Sequence, residues 1–309
     1  MQDSDINIKV PDKLPFLEAI CWQIKDIKNC FTLAEMFSLY ERGQRYRGVL
    51  ADLEGDELYF ADELAKKADS GMTTMFGLTY HQKILTILNC LRSDFFTEIS
   101  AYFGRGTLLT MLYDEYRLSK DMKFICPIGD GYRKLRTEIY DKGFQAMFQD
   151  TPIIRAASEI RADLYGIRFA VGVEDIRIRF EIIAESRITP DPAVFYAWSS
   201  VPCLSFTDCC AEKLLSNADR WADTAVLSRD LIDLSVLRLQ GEIPQTSIDK
   251  AEAAYPVIKP LKKAIKFFQT RSEYRNRCFS TLMVRNTTSV LKGIALLASD
   301  FGISDEFSE

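Results

Sequence analysis

The sequence predicts an α+β fold in which a mixed sheet with flanking helices is preceded by a helical extension and followed by a helical bundle. Residues 167–173 and 175–184 are predicted to form a strand hairpin, and the second stretch alternates apolar and polar residues, which is the period of a strand with one buried face. Most other apolar residues recur at helical spacing. The chain has 309 residues and 47% hydrophobic content, which is ample for two domains or for one domain with a helical extension.

The elements before the first predicted strand are helical. Residues 15–67 are predicted to form helices with charged faces, and residues 70–74 a loop, because that stretch is rich in Ser, Gly and Thr. A helix is predicted over residues 80–92. A second helix, over residues 108–113, is entered through the glycine-bearing turn Gly104–Gly106.

The predicted core then alternates strands and helices. In order, we expect a strand at 122–126, a turn at 129–131, a helix at 132–147, and a hairpin of strands 167–173 and 175–184. In the second hairpin strand, one predicted face is apolar (Ile176, Ile178, Phe180, Ile182) and the other is polar (Arg177, Arg179, Glu181).

Five more helices are expected after Pro190 and Pro192. Their predicted ranges are 208–220, 228–239, 244–254, 261–271 and 281–299. We therefore predict an N-terminal helical extension or module at residues 1–75, a core at 76–200 and a C-terminal helical domain at 201–309.

Composition excludes several classes of protein. The net charge of -5 means that any nucleic-acid surface must be a local patch. The chain has 8 cysteines without a C-x-x-C pair and a single histidine, which argues against a zinc site of ordinary spacing. That residue, His81, is predicted to be a satisfied helix histidine, so mechanisms that depend on histidine lose support. The polar, acidic start and the lack of long apolar runs predict a cytoplasmic protein that does not contact a membrane.

Four short motifs follow one another in the middle of the chain. The first motif runs from the turn Gly104-Arg105-Gly106-Thr107, which opens a helix, to Arg117-Leu-Ser119-Lys-Asp121-Met-Lys123-Phe, which enters a strand, and the second is Arg179-Phe-Glu181-Ile182. Asp121 and Lys123 are two residues apart and share a strand face, while Glu181 lies on the polar face of a second strand. The third motif is Val201-Pro-Cys-Leu-Ser-Phe-Thr-Asp-Cys-Cys-Ala-Glu-Lys213-Leu-Leu, and the fourth is Arg220 with Arg229-Asp230-Leu-Ile-Asp233.

Together these motifs resemble those of the AbiEii/AbiGii toxin family, whose members have a polymerase-β-type nucleotidyltransferase core. The family pattern is a Gly-Gly-Thr turn, then Arg-x-Ser-x-Asp-x-Asp, a third carboxylate on a neighbouring strand, Ala-x-Lys-Leu and Arg-Asp-x-x-Asp. The resemblance covers about residues 80–240. It implies a toxin–antitoxin nucleotidyltransferase that moves a nucleotide from an NTP to an acceptor, with the tRNA 3′ end, other RNA and a cognate antitoxin as further implied partners.

The resemblance also implies roles for individual residues. The catalytic residues would be Asp121, Glu181, Lys213 and Asp230, with Asp121 and Glu181 as ligands of Mg²⁺ or Mn²⁺. The nucleotide would be bound by Gly104, Arg105, Gly106, Thr107, Ser119, Lys123 and Lys213. In this reading Lys213 meets the triphosphate, and Asp230 supports Lys213 or the acceptor.

Two positions depart from the family pattern. Arg105 stands at or near a glycine of the turn, where it would crowd the turn or add a phosphate contact. Lys123 stands where the family has its second strand aspartate, so a ligand of charge -1 is replaced by +1. Either the enzyme uses metal differently, with the ammonium in place of one ion, or the chain is a degenerate relative that binds nucleotide, RNA or a protein partner.

Simpler interpretations stay open for the same residues. Asp121 and Lys123 could be an ordinary ion pair, and Glu181 could balance the charge of nearby arginines. Lys213 and Asp230 could lie on solvated helix faces, and Asp230 suits the first turn of a helix in any case.

Two segments outside the motifs allow two readings each. The basic stretch 259–285, which has interleaved aromatic residues, is either an RNA-backbone surface or a solvated helix face over an aromatic core. The stretch from Tyr40 to Asp56 indicates a defined N-terminal module, which is either a plain helix pair or a partner-like domain that regulates the core.

Overall fold

The structure is a computed structural model that describes residues 10–21, 27–31, 33–43, 51–70 and 76–303. The chain divides into two compact units, Met1–Met75 and Phe76–Glu309. The predicted loop at 70–74 is wrong at Ser70, which belongs to a helix, and its residues 71–74 lie outside the described residues. A further boundary near residue 200, inside the second unit, stays a prediction.

The first unit contains helices around a small core of its own. They are α1 (Pro15–Ile20), α2 (Ile27–Cys30), α3 (Leu33–Gly43) and α4 (Gly55–Ser70). The carboxylate of Glu57 is buried at 2% exposure and accepts hydrogen bonds from the backbone N–H groups of Phe16 and Leu17 and from the Tyr40 hydroxyl. One carboxylate thus joins α1, α3 and α4, and it satisfies amide groups at the start of α1 that have no partner within the helix. A residue of the predicted N-terminal module, Tyr40, therefore belongs to a defined core.

The second unit contains a six-stranded mixed sheet and ten helices among the residues that the structure describes. The strands are β1 (Tyr102–Phe103), β2 (Asp121–Pro127), β3 (Ile154–Ala156), β4 (Arg161–Ala162), β5 (Gly166–Val173) and β6 (Ile176–Glu185). The helices are α5 (Thr79–Asn89), α6 (Ser93–Glu98), α7 (Arg105–Leu112), α8 (Asp130–Lys142), α9 (Phe206–Arg220), α10 (Arg229–Gln240), α11 (Gln245–Ala254), α12 (Ile258–Gln269), α13 (Ser272–Thr281) and α14 (Thr287–Asp300).

The sheet has the strand order β1-β2-β6-β5-β3, and β4 also pairs with β5. Only β2 and β6 run parallel, so the sheet is mixed, and the predicted α+β class is confirmed. One face is apolar, and the rings of Phe124, Phe180 and Phe169 contact one another on it at tilted angles. Helices α5, α7 and α8 pack against the sheet. The predicted alternation in β6 is correct, since Ile178, Phe180 and Ile182 are buried while Arg177 and Arg179 are exposed.

The helices after the sheet pack mainly on one another. Helix α10 contacts α9, α12 and α14, and α9 contacts α11 and α12. The predicted helix at 281–299 is wrong at its start, because α13 ends at Thr281 and Met283 has a left-handed φ of 52°. Helix α14 begins only after Asn286, whose side chain accepts a hydrogen bond from the Ser289 amide.

Other boundaries differ for similar local reasons. The predicted helix at 132–147 ends at Lys142, because Gly143 has a φ of 57° and a 3₁₀ turn follows it. Helix α6 and strands β1, β3 and β4 were not predicted, since elements of two to six residues leave no readable period. None of the described helices is both long and apolar enough to span a lipid bilayer.

Candidate active site

The glycine turn between β1 and α7 is shaped by close packing. A Cβ atom on Gly104 would lie 2.4 Å from Leu204 Cδ1, and one on Gly106 would lie 2.4 Å from an Nη atom of Arg117. The Gly104 amide donates a hydrogen bond to the Lys123 carbonyl, so the turn is joined to β2. A side chain at either position would therefore displace Leu204 or the Arg117 guanidinium from where the start of α7 meets β2. Contact of this turn with phosphates stays a prediction.

Arg105 lies between these glycines in a left-handed conformation, with a φ of 64°. Its guanidinium donates to Glu212 Oε2 at 2.8 Å and to Ser216 Oγ at 2.9 Å. The side chain thus reaches α9 and connects the turn to that helix. Its predicted role in nucleotide binding is untested.

Glu212 belongs to a buried cluster with Glu185 and Arg187. Arg187 pairs with both carboxylates, which are only 1% exposed. Burial and the neighbouring charge of Glu185 raise the pKa of Glu212 to about 7, although Arg105 and Arg187 oppose that rise. The pKa of Glu185 is lowered to about 2, because hydrogen bonds from Arg187 and Glu212 outweigh its burial. One proton shared by the two carboxylates accounts for both directions.

This cluster makes stability depend on pH. Because the folded pKa of Glu212 lies above its ordinary value of 4.5, stability is lost as the pH rises from about 4.5 through about 7. We expect Glu212→Gln to raise the free energy of unfolding at pH 8, by at most about 3 kcal/mol, and to change it little at pH 5. Urea unfolding at the two pH values measures this difference.

Glu185→Gln is the matched control for that prediction. The folded pKa of Glu185 is lowered, so its ionised form stabilises the fold above pH 4.5, and the substitution should destabilise the protein at pH 8. Equal destabilisation by Glu212→Gln at both pH values would contradict the raised pKa.

The hydroxyl groups of Thr107 and Ser119 lie close to Asp121 at the start of β2. Thr107 Oγ1 lies 2.7 Å from Ser119 Oγ, and the Thr107 hydroxyl also donates to the Asp121 backbone carbonyl. Asp121 Oδ1 lies 3.4 Å from Thr107 Oγ1 and 3.5 Å from Ser119 Oγ. The helix start and the strand start predicted from the sequence therefore converge at one point.

His81 holds the segment that carries Ser119 in place. The Ser119 amide donates to His81 Nε2 at 3.3 Å, so Nε2 is an acceptor and Nδ1–H donates to Glu115 Oε1 at 2.8 Å. Burial lowers the pKa of His81 more than Glu115 raises it, which keeps the ring neutral near pH 7. His81 is thus the satisfied helix histidine expected from the sequence, and it orients the segment that carries Ser119.

Lys123 lies between the two candidate metal ligands. In the parallel pairing of β2 with β6, Lys123 is opposite Glu181 and Asp121 is opposite Arg179, so all four side chains share one face. Lys123 Nζ is 3.4 Å from Asp121 Oδ2 and 3.1 Å from Glu181 Oε2. Glu181 also accepts from Arg168 Nε at 2.9 Å. The ammonium therefore bridges both carboxylates.

Both carboxylates are ionised in this arrangement. Burial would raise the pKa of Asp121, but the charges of Lys123, Arg117 and Arg229 lower it overall. Burial would likewise raise the pKa of Glu181, and Lys123 and Arg168 lower it overall. The positive charge beside Asp121 comes from both the strand and the start of α10.

The residues present do not fit the pair of divalent ions that the family pattern implies. Magnesium takes oxygen ligands, and the space between the two carboxylates holds the Lys123 ammonium. Within the described parts of the chain, no group of three or more His, Cys, Asp or Glu side chains could hold a metal ion. The assignment of Asp121 and Glu181 as metal ligands stays a prediction.

A second charge network, in which Lys213, Asp230 and Asp233 are buried and Arg220 is partly exposed, lies between α9 and α10. Lys213 Nζ is 3.0 Å from Asp230 Oδ1 and 2.5 Å from Asp233 Oδ2. Arg220 binds Asp230 through two nitrogens, at 2.7 and 3.0 Å. Burial would raise the pKa of Asp230, but Lys213 and Arg220 lower it strongly overall. Lys213 and Asp230 are therefore not on solvated helix faces.

Asp233 joins this network to the motif before β2. Arg117 donates to its two oxygens at 2.6 and 2.8 Å, and the Tyr116 hydroxyl donates at 2.6 Å. Asp233 is 0% exposed and Arg117 is 3% exposed. The Arg-x-Ser motif and the Arg-Asp-x-x-Asp motif thus meet in the folded chain.

The comparisons with known proteins agree with this geometry. A family model described as "Nucleotidyl transferase AbiEii toxin, Type IV TA system" matches residues 86–264, which are 179 of the 309 residues. The chain belongs to the AbiEii family of nucleotidyl transferase toxins. The sequence motifs implied this fold class and a toxin–antitoxin nucleotidyltransferase, and both predictions are confirmed.

Two solved structures from Helicobacter pylori are similar to the AbiEii-family chain. JHP933 has 14% identity and a TM-score of 0.41, over 72% of this chain and 90% of that chain. A putative nucleotidyltransferase has 13% identity and a TM-score of 0.30, over 59% of this chain and 95% of that chain. No curated protein matches the chain.

Sequence reasoning missed part of the site. It did not propose Arg117 and Asp233 as site residues, although both stood in the quoted motifs. Arg168 gave no signal, because its contact with Glu181 depends on the register of β5 and β6. Arg229 was also not proposed as a site residue. It lowers the pKa of Asp121 and forms no ion pair with any residue that the structure describes.

Proposed function

We propose that this AbiEii-family chain binds a nucleoside triphosphate beside Asp121 and transfers its nucleotide to the 3′ hydroxyl of an RNA, plausibly a tRNA. The observation that supports this most is the convergence of the glycine turn, the Arg-x-Ser-x-Asp strand and the Glu181 strand at one point. Separate stretches of sequence meet there with two hydroxyls, two carboxylates and an ammonium. A cognate antitoxin is a further proposed partner, since the family belongs to a toxin–antitoxin system.

The triphosphate side of the site faces α10. Six basic groups (Arg117, Lys123, Arg168, Lys213, Arg220, Arg229) lie against five carboxylates (Asp121, Asp163, Glu181, Asp230, Asp233), so the two networks have an excess of one positive charge. Lys213 is only 3% exposed and is already paired with two aspartates. We therefore propose Arg229, which is partly exposed, as the first contact of the phosphates, with Lys213 as support for Asp230 and Asp233.

The acceptor side of the site faces β6. The acceptor 3′ oxygen forms a bond to the α-phosphorus, the bond to the leaving pyrophosphate breaks, and Glu181 accepts the hydroxyl proton. Glu181 is assigned this role by its place, because it lies opposite Lys123 on the face that carries Asp121, and Lys123 and Arg168 keep its carboxylate ionised. Lys123 lies 3.1 Å from Glu181 and holds a positive charge where negative charge develops on the reacting phosphate. The NTP substrate would arrive as its complex with Mg²⁺ or Mn²⁺.

Labelled transfer tests the proposal. The full chain is incubated with each of the four α-³²P-labelled NTPs, magnesium and total RNA, and labelled RNA is separated by electrophoresis. We expect label in RNA with at least one NTP, and a loss of about 100-fold or more in Asp121→Asn and Glu181→Gln. Asp163→Asn is the matched control, because Asp163 is an exposed carboxylate that also pairs with Arg168. Transfer that survives Asp121→Asn would rule out this site.

A second candidate function is nucleotide binding without transfer. The observation that favours it is the double ion pair of Lys123, whose ammonium lies between both candidate metal ligands. Calorimetry with each NTP separates the two functions. Binding without labelled RNA would support the second candidate, and failure to bind any NTP would overturn both.

A further inference from the structure

The open face of the sheet beside Glu181 is rich in arginine. We define the arginine face as Arg155 on β3, Arg161 on β4, Arg168 on β5, and Arg177 and Arg179 on β6. Four of these side chains are exposed, and Arg168 is 42% exposed. Their apolar neighbours in sequence, such as Phe169 and Ile178, point to the opposite, buried face. The face is therefore a basic surface on a protein whose net charge is -5.

Strand register puts the arginine face directly next to the candidate active site. Arg168 is opposite Glu181 and Arg161 is opposite Arg168, so one row runs from Lys123 across Glu181 and Arg168 to Arg161. With about 4.8 Å between strands, this row is roughly 14 Å long. A parallel row begins at Asp121 and Arg179.

The centre of the face is shallow. Ala170 is opposite Arg179 and Gly172 is opposite Arg177, so small residues separate the arginines. The Arg155 side chain lies across Gly172, since a Cβ atom there would be 3.2 Å from its Cγ and Cζ atoms. An elongated anionic chain could therefore lie close to the strands with guanidinium groups on both sides.

Several of these arginines have capacity for a ligand. Arg161, Arg177 and Arg179 form no ion pair within the described residues, in contrast to Arg168. The nearby acid Glu174 is engaged by Lys83 at 2.5 Å, and Asp163 pairs with Arg168. These three guanidinium groups are therefore available to bind the phosphates of a partner.

The turn between β4 and β5 adds exposed apolar side chains at the end of the same row. Tyr165 is 75% exposed and Leu164 is 67% exposed, and they lie between Arg161 and Arg168 in sequence. Single-stranded RNA is bound by basic grooves together with aromatic rings on which bases stack. A double-stranded or purely anionic ligand would not stack a base on the exposed Tyr165 ring.

We propose that the arginine face with Tyr165 binds the backbone and a base of single-stranded RNA that leads to the acceptor 3′ hydroxyl at Glu181. This inference rests on the proposed transfer to RNA and assigns the surface that holds the acceptor. The triphosphate is bound on the opposite side of Lys123, towards α10, so nucleotide and acceptor approach from different sides.

The basic segment at 259–285 is the competing surface, and several of its arginine and aromatic side chains are already engaged. Arg275 is buried and donates to the carbonyls of Phe268 and Gln269, while Phe268 and Phe279 are buried in the core. Lys263 lies over the Trp221 ring and Arg271 over the Phe267 ring. None of these contacts involves a strand or Glu181. The aromatic residues of this segment therefore mostly serve the helical core.

The test compares two double variants that each remove two positive charges. Arg161→Gln with Arg177→Gln alters the arginine face, and Lys262→Gln with Lys266→Gln alters exposed lysines of α12. Binding of a fluorescein-labelled single-stranded oligoribonucleotide is measured by anisotropy over a range of salt concentrations. We expect the arginine variant to lose about tenfold in affinity and to lower the salt slope by about 2, and the lysine variant to change little. Tyr165→Ala should also weaken binding.

Three results of the binding measurement would overturn the inference. They are a larger loss in the lysine variant, an equal loss in both variants, and no binding of the oligoribonucleotide by the unaltered protein. NTP binding by each variant, measured by calorimetry, and unchanged thermal unfolding show that the fold and nucleotide site are intact. Transfer to RNA that continues unchanged in the arginine variant would overturn this inference and leave the proposed function standing.

Discussion

Lys123→Asp is expected to bind Mn²⁺ at least about tenfold more tightly than the unaltered chain. The substitution removes an ammonium that lies 3.4 Å from Asp121 and 3.1 Å from Glu181, and adds a third carboxylate on the same face. At such distances each changed pair of charges alters the free energy of metal binding by about 1 kcal/mol in water and about 4 kcal/mol near a protein surface. A difference of about 1.4 kcal/mol corresponds to a factor of ten in affinity. Calorimetric titration with Mn²⁺ measures the change.

Lys123→Met is the matched control for this metal-binding prediction. It removes the same positive charge without adding an oxygen ligand, so it should strengthen Mn²⁺ binding less than Lys123→Asp does. The variant with three carboxylates should also unfold at a lower temperature without metal, because the like charges repel, and Mn²⁺ should restore its stability. If Lys123→Asp leaves Mn²⁺ affinity unchanged, Lys123 is not at a metal position.

Asp233→Ala is expected to lower the free energy of unfolding by about 3–5 kcal/mol. Asp233 is 0% exposed and accepts from Arg117, Tyr116 and Lys213 at 2.5–2.8 Å. Removing the carboxylate leaves Arg117 buried with an uncompensated charge, which costs more than the ion pair itself contributes. Urea unfolding followed by circular dichroism measures the loss.

Asp300→Ala is the control for the buried network. Asp300 also pairs with an arginine, Arg238, through two nitrogens, but it is 33% exposed at the end of α14. An exposed pair of this kind contributes about 1 kcal/mol or less. Similar losses in the two variants would mean that Asp233 does not hold a buried network together.

Much of the site could be predicted because its residues stand in short local patterns. Asp121 and Lys123 share a strand face by the two-residue period alone, and the alternation in β6 identified Glu181 on the polar face. The family resemblance then identified these patterns as consecutive motifs of one family, and the match of the family model over residues 86–264 agrees with that resemblance. The binding and catalytic roles of the individual residues stay predictions that the experiments above address.

Contacts between distant segments were not predictable in the same way. Arg105 was expected near phosphates, yet its guanidinium lies on Glu212 and Ser216, 107 and 111 residues further along the chain. Asp230 was expected to support Lys213, and it pairs with it, but the second partner of Lys213, Asp233, was not expected, and contact of Lys213 with a triphosphate stays a prediction. Nothing in the local sequence encodes which partner a long, charged side chain will reach.

By itself, the sequence determined the α+β class, the main strands and helices, and the substitution of lysine at position 123, because period and residue type are local properties. Only the tertiary structure decided what that lysine does. The parallel pairing of β2 with β6 brings Lys123 opposite Glu181, 58 residues away, and the ammonium then bridges two carboxylates. Register between strands is set by burial of the whole apolar face, so no single motif can specify it.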